Sequence, residues 1–448
     1  MGVTARHDTW SSRLTFVTAA VGASVGLGNI WKFPYMAGMN GGGAFVAVYL
    51  ACVALIAIPI LSAELLLGRR GGGSPVASMR ALAAAEGASP AWQAVGAMGV
   101  VAGYLILTYY SVIAGWALAY VPRAAAGAFA GAGAAELDAA FAALLADPVG
   151  LAAWHAVFMA ATAAIVAGGI RAGIERAVTI MMPLLFAMLA ALVGWAAAAG
   201  ALVDGLAFLL RPDPAKVDAG VVLMAIGQAF FSIGVAMAIM MTYGAYLPAD
   251  VGIPRAAVLI AGADTLVSLL AGAAIFPIVL AHGLDPAEGP SLLFVTLPLA
   301  FGAMPGGRLF GCMFFVLLVF AALTSAIALL EGAVAWAEEH GVRRRTAAAA
   351  GGALAWLIGL ASVLSFNRWR EIRPFGMSIF DLLDYATTNV LVTVGGLLIA
   401  VFAGWRMSEA ATRAELGLAP GAAYRGWLLL MRFVVPAAIA AILLTNLV

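Results

Sequence analysis

Eleven apolar runs, each long enough to cross a bilayer as a helix, divide this chain almost from end to end. Spanning about 30 Å of hydrocarbon takes about 20 helical residues. Runs of that length fall at 14–38, 43–67, 92–121, 151–169, 177–202, 221–247, 255–281, 308–337, 346–365, 379–405 and 426–447. Hydrocarbon offers backbone N–H and C=O groups no partner, so such runs fold as helices. The expected fold class is therefore all-α, a polytopic protein whose main neighbour is membrane lipid. Of 448 residues 64% are hydrophobic and 10% charged, with mean hydropathy +1.05, which excludes an ordinary soluble domain. A net charge of +1, with basic residues in short clusters between apolar runs, excludes nucleic acid as a partner. Cys52 and Cys312 both stand in apolar runs, where a buried free thiol is the default.

The basic clusters set the orientation. Arg6, Arg13, Arg69, Arg70, Arg80, Arg171, Arg176, Arg255, Arg343, Arg344, Arg345, Arg406, Arg413 and Arg425 fall on one side of an eleven-span path. The other side holds Arg123, Arg211, Lys216 and Arg308, with Arg368, Arg370 and Arg373 as a local exception. By the positive-inside rule the first side is cytoplasmic. A multi-pass protein of the plasma (inner) membrane is expected, with residues 1–13 as a cytoplasmic tail and the C-terminus outside. Arg6 and Arg13 ahead of an apolar run suggest a secretory signal, but the run continues through Trp31, Lys32, Phe33 and Pro34 without a convincing cleavage site. It reads as a retained span. Residues 124–146 suit an outer loop with some surface helix, and 288–307, interrupted by Pro290, Pro298 and Pro305, suits an outer re-entrant hairpin.

Two spans look built to break. Gly22-Ala23-Ser24-Val25-Gly26-Leu27-Gly28-Asn29 puts three glycines and a polar amide at mid-membrane, each glycine weakening a helix by about 0.5–1 kcal/mol relative to alanine. Phe230-Phe231-Ser232-Ile233-Gly234 repeats the pattern in the sixth run. Irregular backbone at that depth survives where protein buries it or where it lines a polar cavity. Five spans separate the two breaks, and an odd offset inverts the second set. The pattern predicts a 5+5 inverted repeat, 14–202 and 221–405, with 426–447 as helix 11.

Other templates fit some of these residues. Gly22 to Gly26 also suits a small-xxx-small helix contact or a G-x-S-x-G nucleophile elbow; the second break and Asn29 favour a solute site. A hydrolase needs a base, and His7, His155, His282 and His340 are read near loops or span ends, so no enzyme is expected. A channel would need a continuous polar stripe, which the spans lack. Asp264 alone suits a structural acid as well as a functional one. Thr324 and Ser325 alone suit back-bonding to their own helix, and Tyr110, Phe231 and Met237 would be core residues in most helices. Glu64 and Glu331 are read as structural, holding neighbouring helices or backbone.

The chain resembles the neurotransmitter:sodium symporter family, which includes the bacterial leucine transporter. The resemblance runs through Gly26-Leu27-Gly28-Asn29-Ile30-Trp31-Lys32-Phe33-Pro34, Asn40-Gly41-Gly42-Gly43-Ala44-Phe45, Gln228-Ala229-Phe230-Phe231-Ser232, Thr324-Ser325 and Glu331-Gly332. An eleven-span count is most similar to the family's bacterial tyrosine and tryptophan transporters. The resemblance implies a sodium-coupled symporter importing a small-molecule L-amino acid by alternating access, as a monomer or weak homo-oligomer. A membrane amino-acid sensor without net transport is the alternative.

A zwitterion needs donors for its carboxylate and acceptors for its ammonium, and opened helix ends supply both without formal charge. Amides of Leu27 and Gly28 would hold the carboxylate, with the Tyr110 hydroxyl as the matching family donor; carbonyls of Ser24, Phe231 and Ser232 would take the ammonium. Gly26 stands where monoamine carriers of the family place an aspartate, which favours a substrate bringing its own carboxylate. The side-chain pocket implied is Ile106, Tyr110, Phe231, Gly234, Met237, Ser325 and Leu329, roomy enough for a hydrophobic, aromatic or branched group. The family pattern implies two sodium ions. The first would use Ser24, Asn29, Ser232 and Asp264, and the second Gly22, Val25, Ala321, Thr324 and Ser325. Two charges moving through 100 mV contribute about 4.6 kcal/mol, more than a thousandfold accumulation.

Asp264 departs from the asparagine of many members. It lies among Tyr49, Gln228, Ser232 and Ser268, which resemble the chloride site of chloride-dependent relatives, so chloride-independent transport is expected. Tyr110 and Phe231, with Lys32 and Asp384 as a charged pair, would gate the outside. Lys32 replaces the usual arginine, and the acid is shifted by one residue. Arg6 or His7 with Glu339 or Glu338 would gate the inside. Gly173 and Pro183 have the spacing of the motif that lets the fifth span unwind.

Overall fold

A computed structural model describes residues 9–198, 202–281, 283 and 291–447. Arg6, His7 and His282 lie outside the described residues, which contain helices and no strand. The first span is a bent pair, α1 (Arg13–Ser24) and α2 (Gly28–Met39), with axes 55° apart. Then follow α3 (Gly43–Gly71), the short α4 (Pro75–Ala85), α5 (Pro90–Ala125), α6 (Ala134–Ala146), α7 (Pro148–Ala167), α8 (Ile170–Ala198) and α9 (Leu202–Leu210). A second pair, α10 (Ala219–Ile233) and α11 (Ile239–Ala245), leads into α12 (Ile253–Ala281), the short α13 (Leu292–Ala303), α14 (Gly307–Glu339), α15 (Arg344–Ser365), α16 (Ile379–Arg406), α17 (Glu409–Leu416) and α18 (Ala422–Thr445). Among the described residues nine helices are individually long and apolar enough to cross a membrane, and the bent pair makes ten. The remaining expected span, the sixth at 221–247, is divided between α10 and α11, each too short alone.

Local chemistry sets the ends. Ser12 and Thr15 form a capping box at the start of α1, and Asp147 accepts from the Val149 and Gly150 amides at the start of α7, satisfying donors that a first turn leaves open. The fourth and fifth spans meet earlier than expected. α7 stops at Ala167, Gly169 turns the chain at φ +85°, and α8 begins at Ile170 rather than near 177. Residues 124–146 carry the surface helix α6. The proline-interrupted stretch forms α13, whose Phe294 stacks on Phe141 of α6 and meets Trp116 of α5 edge-on.

Burial sorts the helices into centre and rim. Some 72% of the apolar stretch of α14 is buried, against 22% for α18, so α14 is central and α18 lies at the rim. α14 packs along α5, α11 against α3, and α1 against both α12 and α14. Both breaks therefore lie inside a wall made by α5, α12 and α14. One histidine departs from the sequence expectation: His155 lies well inside α7, fully buried, with Nε2 2.8 Å from Ser111 Oγ on α5. Neither residue lines the cavity described next.

Candidate functional site

Helix α1 ends because its donors are diverted to side chains. The Gly26 N–H, which a continuing helix would give to Gly22, donates to Asn29 Oδ1 at 2.9 Å. The Leu27 N–H, which would go to Ala23, donates to the Tyr110 hydroxyl at 3.2 Å. Carbonyls of Gly22 and Ala23 thus lose their helical donors at the break. Asn29 grips the opposite wall: its Nδ2 lies 2.9 Å from Ser232 Oγ, 2.8 Å from Asp264 Oδ1 and 2.9 Å from Ser268 Oγ. With the Asp264 carbonyl at 3.2 Å, four oxygens compete for an amide with two hydrogens. The Ser232 hydroxyl donates to Asp264 Oδ2 at 2.5 Å, and Gln228 Nε2 donates to the Gly28 carbonyl at 3.0 Å. Asn29, Ser232 and Asp264, all buried, make an oxygen-rich junction with one carboxylate, the donor set a hard cation takes.

The second break is made differently. α10 stops at Gly234 with φ +69°, and Ala236 and Ala238 both sit at φ +63° before α11 begins. The Glu64 carboxylate accepts the Ala236 N–H, holding an amide that no helix satisfies. Glu331 takes Arg344, at 2.5 and 3.0 Å, and the Tyr246 hydroxyl at 3.1 Å. Both acids are used in structure, as their sequence reading had it.

Between the breaks lies a small cavity of about 40 Å³, lined by Ala23, Ser24, Gly26, Leu27, Gly28, Ile106, Tyr110, Phe231, Ser232, Gly234, Met237, Ile239, Ser325 and Leu329. All eleven residues expected to bind substrate line it. Ala23 and Ile239 are additions that no sequence signal marked. A Cβ at Gly26 would stand 2.7 Å from Ser325 Oγ and 2.8 Å from the Tyr110 oxygen, and one at Gly28 would stand 3.0 Å from the Phe231 ring. These glycines let the side chains of Ser325, Tyr110 and Phe231 come close to the broken backbone.

The residues expected at the second sodium set also converge. Ser325 Oγ donates to the Val25 carbonyl at 3.2 Å, Thr324 Oγ1 donates to the Ala321 carbonyl at 3.0 Å, and a Cβ at Gly22 would stand 3.5 Å from Thr324 Cβ. The proposed gates fare less well. Lys32 and Asp384 form no ion pair among the described residues. The Lys32 ammonium lies 4.1 Å from the centroid of the Phe231 ring, while Asp384 Oδ1 takes the hydroxyls of Tyr109 at 2.9 Å and Thr388 at 3.1 Å. Each charge has another partner, which is why the pair does not close. Glu339 instead accepts the Ser74 amide and hydroxyl, both at 2.5 Å, at the start of α4, and Glu338 pairs with Arg344 at 2.9 Å. Trp10 is buried near that end, its Nε1 donating to the Tyr243 carbonyl at 3.3 Å.

The model of the family described as the Sodium:neurotransmitter symporter family matches residues 7–130 and 145–448. The chain belongs to that family. It is 39% identical over 439 residues to the uncharacterized sodium-dependent transporter YhdH of Bacillus subtilis (strain 168), covering 97% of this chain and 96% of that one. A sodium-dependent transporter of Haemophilus influenzae is 32% identical over 456 residues, 99% of this chain and 98% of the relative. Among solved structures, that of MhsT in complex with L-phenylalanine superposes with a TM-score of 0.90 at 43% identity, over 98% of this chain and 100% of the other. As a member of the sodium:neurotransmitter symporter family the chain is a multi-pass, sodium-dependent membrane transporter and not an enzyme.

Proposed function

We propose that this transporter imports hydrophobic L-amino acids, aromatic or branched, with two sodium ions and no chloride, across the plasma (inner) membrane. The observation that carries the reading is the cavity: backbone amides and a tyrosine hydroxyl at one end, and Ile106, Met237, Ile239 and Leu329 along the rest. The half-helix beginning at Gly28 holds the substrate carboxylate with its N–H groups, assisted by Tyr110. Carbonyls of Ser24, Phe231 and Ser232 hold the ammonium. A bare amine finds no carboxylate at Gly26 to pair with, since that position leaves no space for a side chain. MhsT, bound to L-phenylalanine, supports this substrate class.

The first sodium ion is assigned to Asn29, Ser232, Asp264 and the Ser24 carbonyl, and the second to the carbonyls of Gly22, Val25 and Ala321 with the hydroxyls of Thr324 and Ser325. Sodium supplies the electrochemical drive when bound. The residues present suit it, because hydroxyl, amide, carbonyl and carboxylate oxygens converge at the first place and carbonyl and hydroxyl oxygens at the second. Asp264 supplies in permanent form the negative charge that an anion brings in chloride-dependent relatives. Transport proceeds by alternating access of two inverted repeats, 14–202 and 221–405, with 426–447 as an eleventh helix beside them and the N-terminus cytoplasmic. Tyr110 and Phe231 close the outer side, and Trp10 seals the inner side.

The test is binding of a panel of radiolabelled amino acids to purified protein, with sodium varied against choline and chloride against gluconate. Sodium-dependent binding of phenylalanine, tryptophan, tyrosine or leucine that survives chloride removal is expected. A panel answered by glycine or betaine alone overturns the substrate class, and collapse in gluconate overturns chloride independence.

A further inference from the structure

Among the described residues Phe375 is the most exposed large hydrophobic one, at 90%, and one of three non-glycine residues with positive φ, at +56°. Left-handed backbone is strained for a bulky side chain, and a ring so exposed has almost no contact within the protein to offset the strain. What rewards that conformation lies outside the chain. The rest of the loop between α15 and α16 has the same character. Trp369 is 37% and Ile372 49% exposed, and they alternate with Arg368, Arg370 and Arg373, the local exception to the positive-inside rule. Arg370 meets its neighbour Glu371 at 3.4 Å, while Arg368 and Arg373 form no ion pair among the described residues. The backbone itself is well held: the Trp369 N–H donates to the Leu364 carbonyl at 2.8 Å, that of Ile372 to Trp369 at 2.9 Å and that of Gly376 to Arg373 at 3.0 Å. A wound loop thus turns three apolar and three basic side chains away from the bundle.

Helix α15 sets the depth of this loop. Its 22 residues, Arg344–Ser365, rise about 33 Å at about 1.5 Å each, enough to cross about 30 Å of hydrocarbon, and half-exposed Leu354 and Leu357 put one of its faces on the outside of the bundle. The loop therefore starts where lipid headgroups start. We propose that residues 368–375 are a membrane anchor for anionic phospholipid: the arginines take headgroup phosphates, and Phe375, with Trp369 and Ile372, enters the boundary between headgroups and acyl chains. Guanidinium groups match phosphate oxygens, and aromatic rings favour that level of a bilayer. Ser378 caps α16, its Oγ accepting the Asp381 N–H at 3.1 Å, so the anchor holds that end of α16 at headgroup level. The inference uses the membrane span of α15 and nothing from the substrate reading.

The experiment places the full chain in lipid nanodiscs of phosphatidylcholine alone, or of phosphatidylcholine mixed equally with phosphatidylglycerol. In a Cys52→Ala, Cys312→Ala background, Met377→Cys carries an environment-sensitive fluorophore beside an intact Phe375. Quenching by a nitroxide high on the lipid acyl chain is compared with quenching by aqueous, uncharged acrylamide. The ratio of lipid to aqueous quenching is expected to rise by at least about fivefold with phosphatidylglycerol, the scale of one basic residue at an anionic surface. Changing Arg368, Arg370 and Arg373 together to glutamine should abolish that rise, Phe375→Ser should lower the ratio in both lipids, and Phe375→Trp should keep it. Thermal midpoints should stay at the parent value, because these side chains do not pack in the core. A ratio equal within about twofold in the two lipids would overturn the inference, as would a rise that survives loss of the arginines or acrylamide access unchanged by Phe375→Ser. Inorganic phosphate added to phosphatidylcholine discs should have no effect; a rise equal to that with phosphatidylglycerol would make the loop a site for a free anion and overturn the anchor. The lipid comparison needs only the labelled parent protein, so a variant that fails to fold leaves the test standing.

Discussion

A methyl group added at Gly26 would meet Ser325 Oγ at 2.7 Å and the Tyr110 hydroxyl at 2.8 Å, both inside contact distance. Gly26→Ala is therefore expected to lower amino-acid affinity by at least about a hundredfold with little change in thermal midpoint, since the methyl displaces the groups that face substrate rather than the core. Near-normal binding by equilibrium dialysis would show that the Tyr110 and Ser325 hydroxyls have no part in the site. Asp264 is the one carboxylate at the Asn29 junction, so Asp264→Asn should raise the sodium concentration for half-maximal binding about tenfold or more, with chloride restoring part of the loss. An unchanged sodium titration would contradict its assignment. At this scale Asn29, Ser232 and Asp264 were legible because a polar side chain in an apolar run must find a partner. The left-handed alanines were not. Ala236-Met237-Ala238 reads as good helix, and only the glycines of α5, α14 and α16 make room for another conformation. The Lys32 and Asp384 pairing failed for a similar reason, because the hydroxyls of Tyr109 and Thr388 that claim Asp384 come close only in the folded bundle.

At the level of elements, the glycine run between α2 and α3 is an access point for another piece of backbone. A Cβ at Gly42 would lie 2.2 Å from the Phe208 carbonyl oxygen and one at Gly43 2.4 Å from that of Arg211, so the end of α9 passes directly over the turn. Gly43→Ala should destabilise the protein by about 2 kcal/mol or more, read as a lower midpoint and poorer yield. A wild-type midpoint would mean that the α9 end yields freely. The turn into α8 is built the same way, with a Cβ at Gly173 2.0 Å from the Ile165 carbonyl oxygen. Helix existence was legible nearly everywhere, since about 20 apolar residues have one solution in lipid. Helix ends were less so: α8 starts at Ile170 because Gly168 and Gly169 turn the chain before hydropathy registers the change.

Across the whole molecule, two breaks held in one buried wall leave carbonyls, amides and one carboxylate facing a cavity that packing alone would have filled. Such an arrangement is stable because Asn29, Gln228 and Glu64 satisfy the opened backbone, and under the proposed assignments the substrate carboxylate and the first ion share the same few residues. Coupling then follows from shared ligands. With the two sodium ions and the zwitterion proposed above, each cycle should carry two positive charges, so an inside-negative 100 mV adds about 4.6 kcal/mol to the drive. The measurement that decides most is uptake of labelled phenylalanine, tryptophan, tyrosine and leucine into proteoliposomes, with an inward sodium gradient and again with choline replacing external sodium. Sodium-driven accumulation above the external concentration, enhanced by an inside-negative potential, is the expected result. Binding without accumulation would make the protein a sensor, and accumulation that persists in choline would contradict the ion sites built on Asn29, Asp264, Thr324 and Ser325.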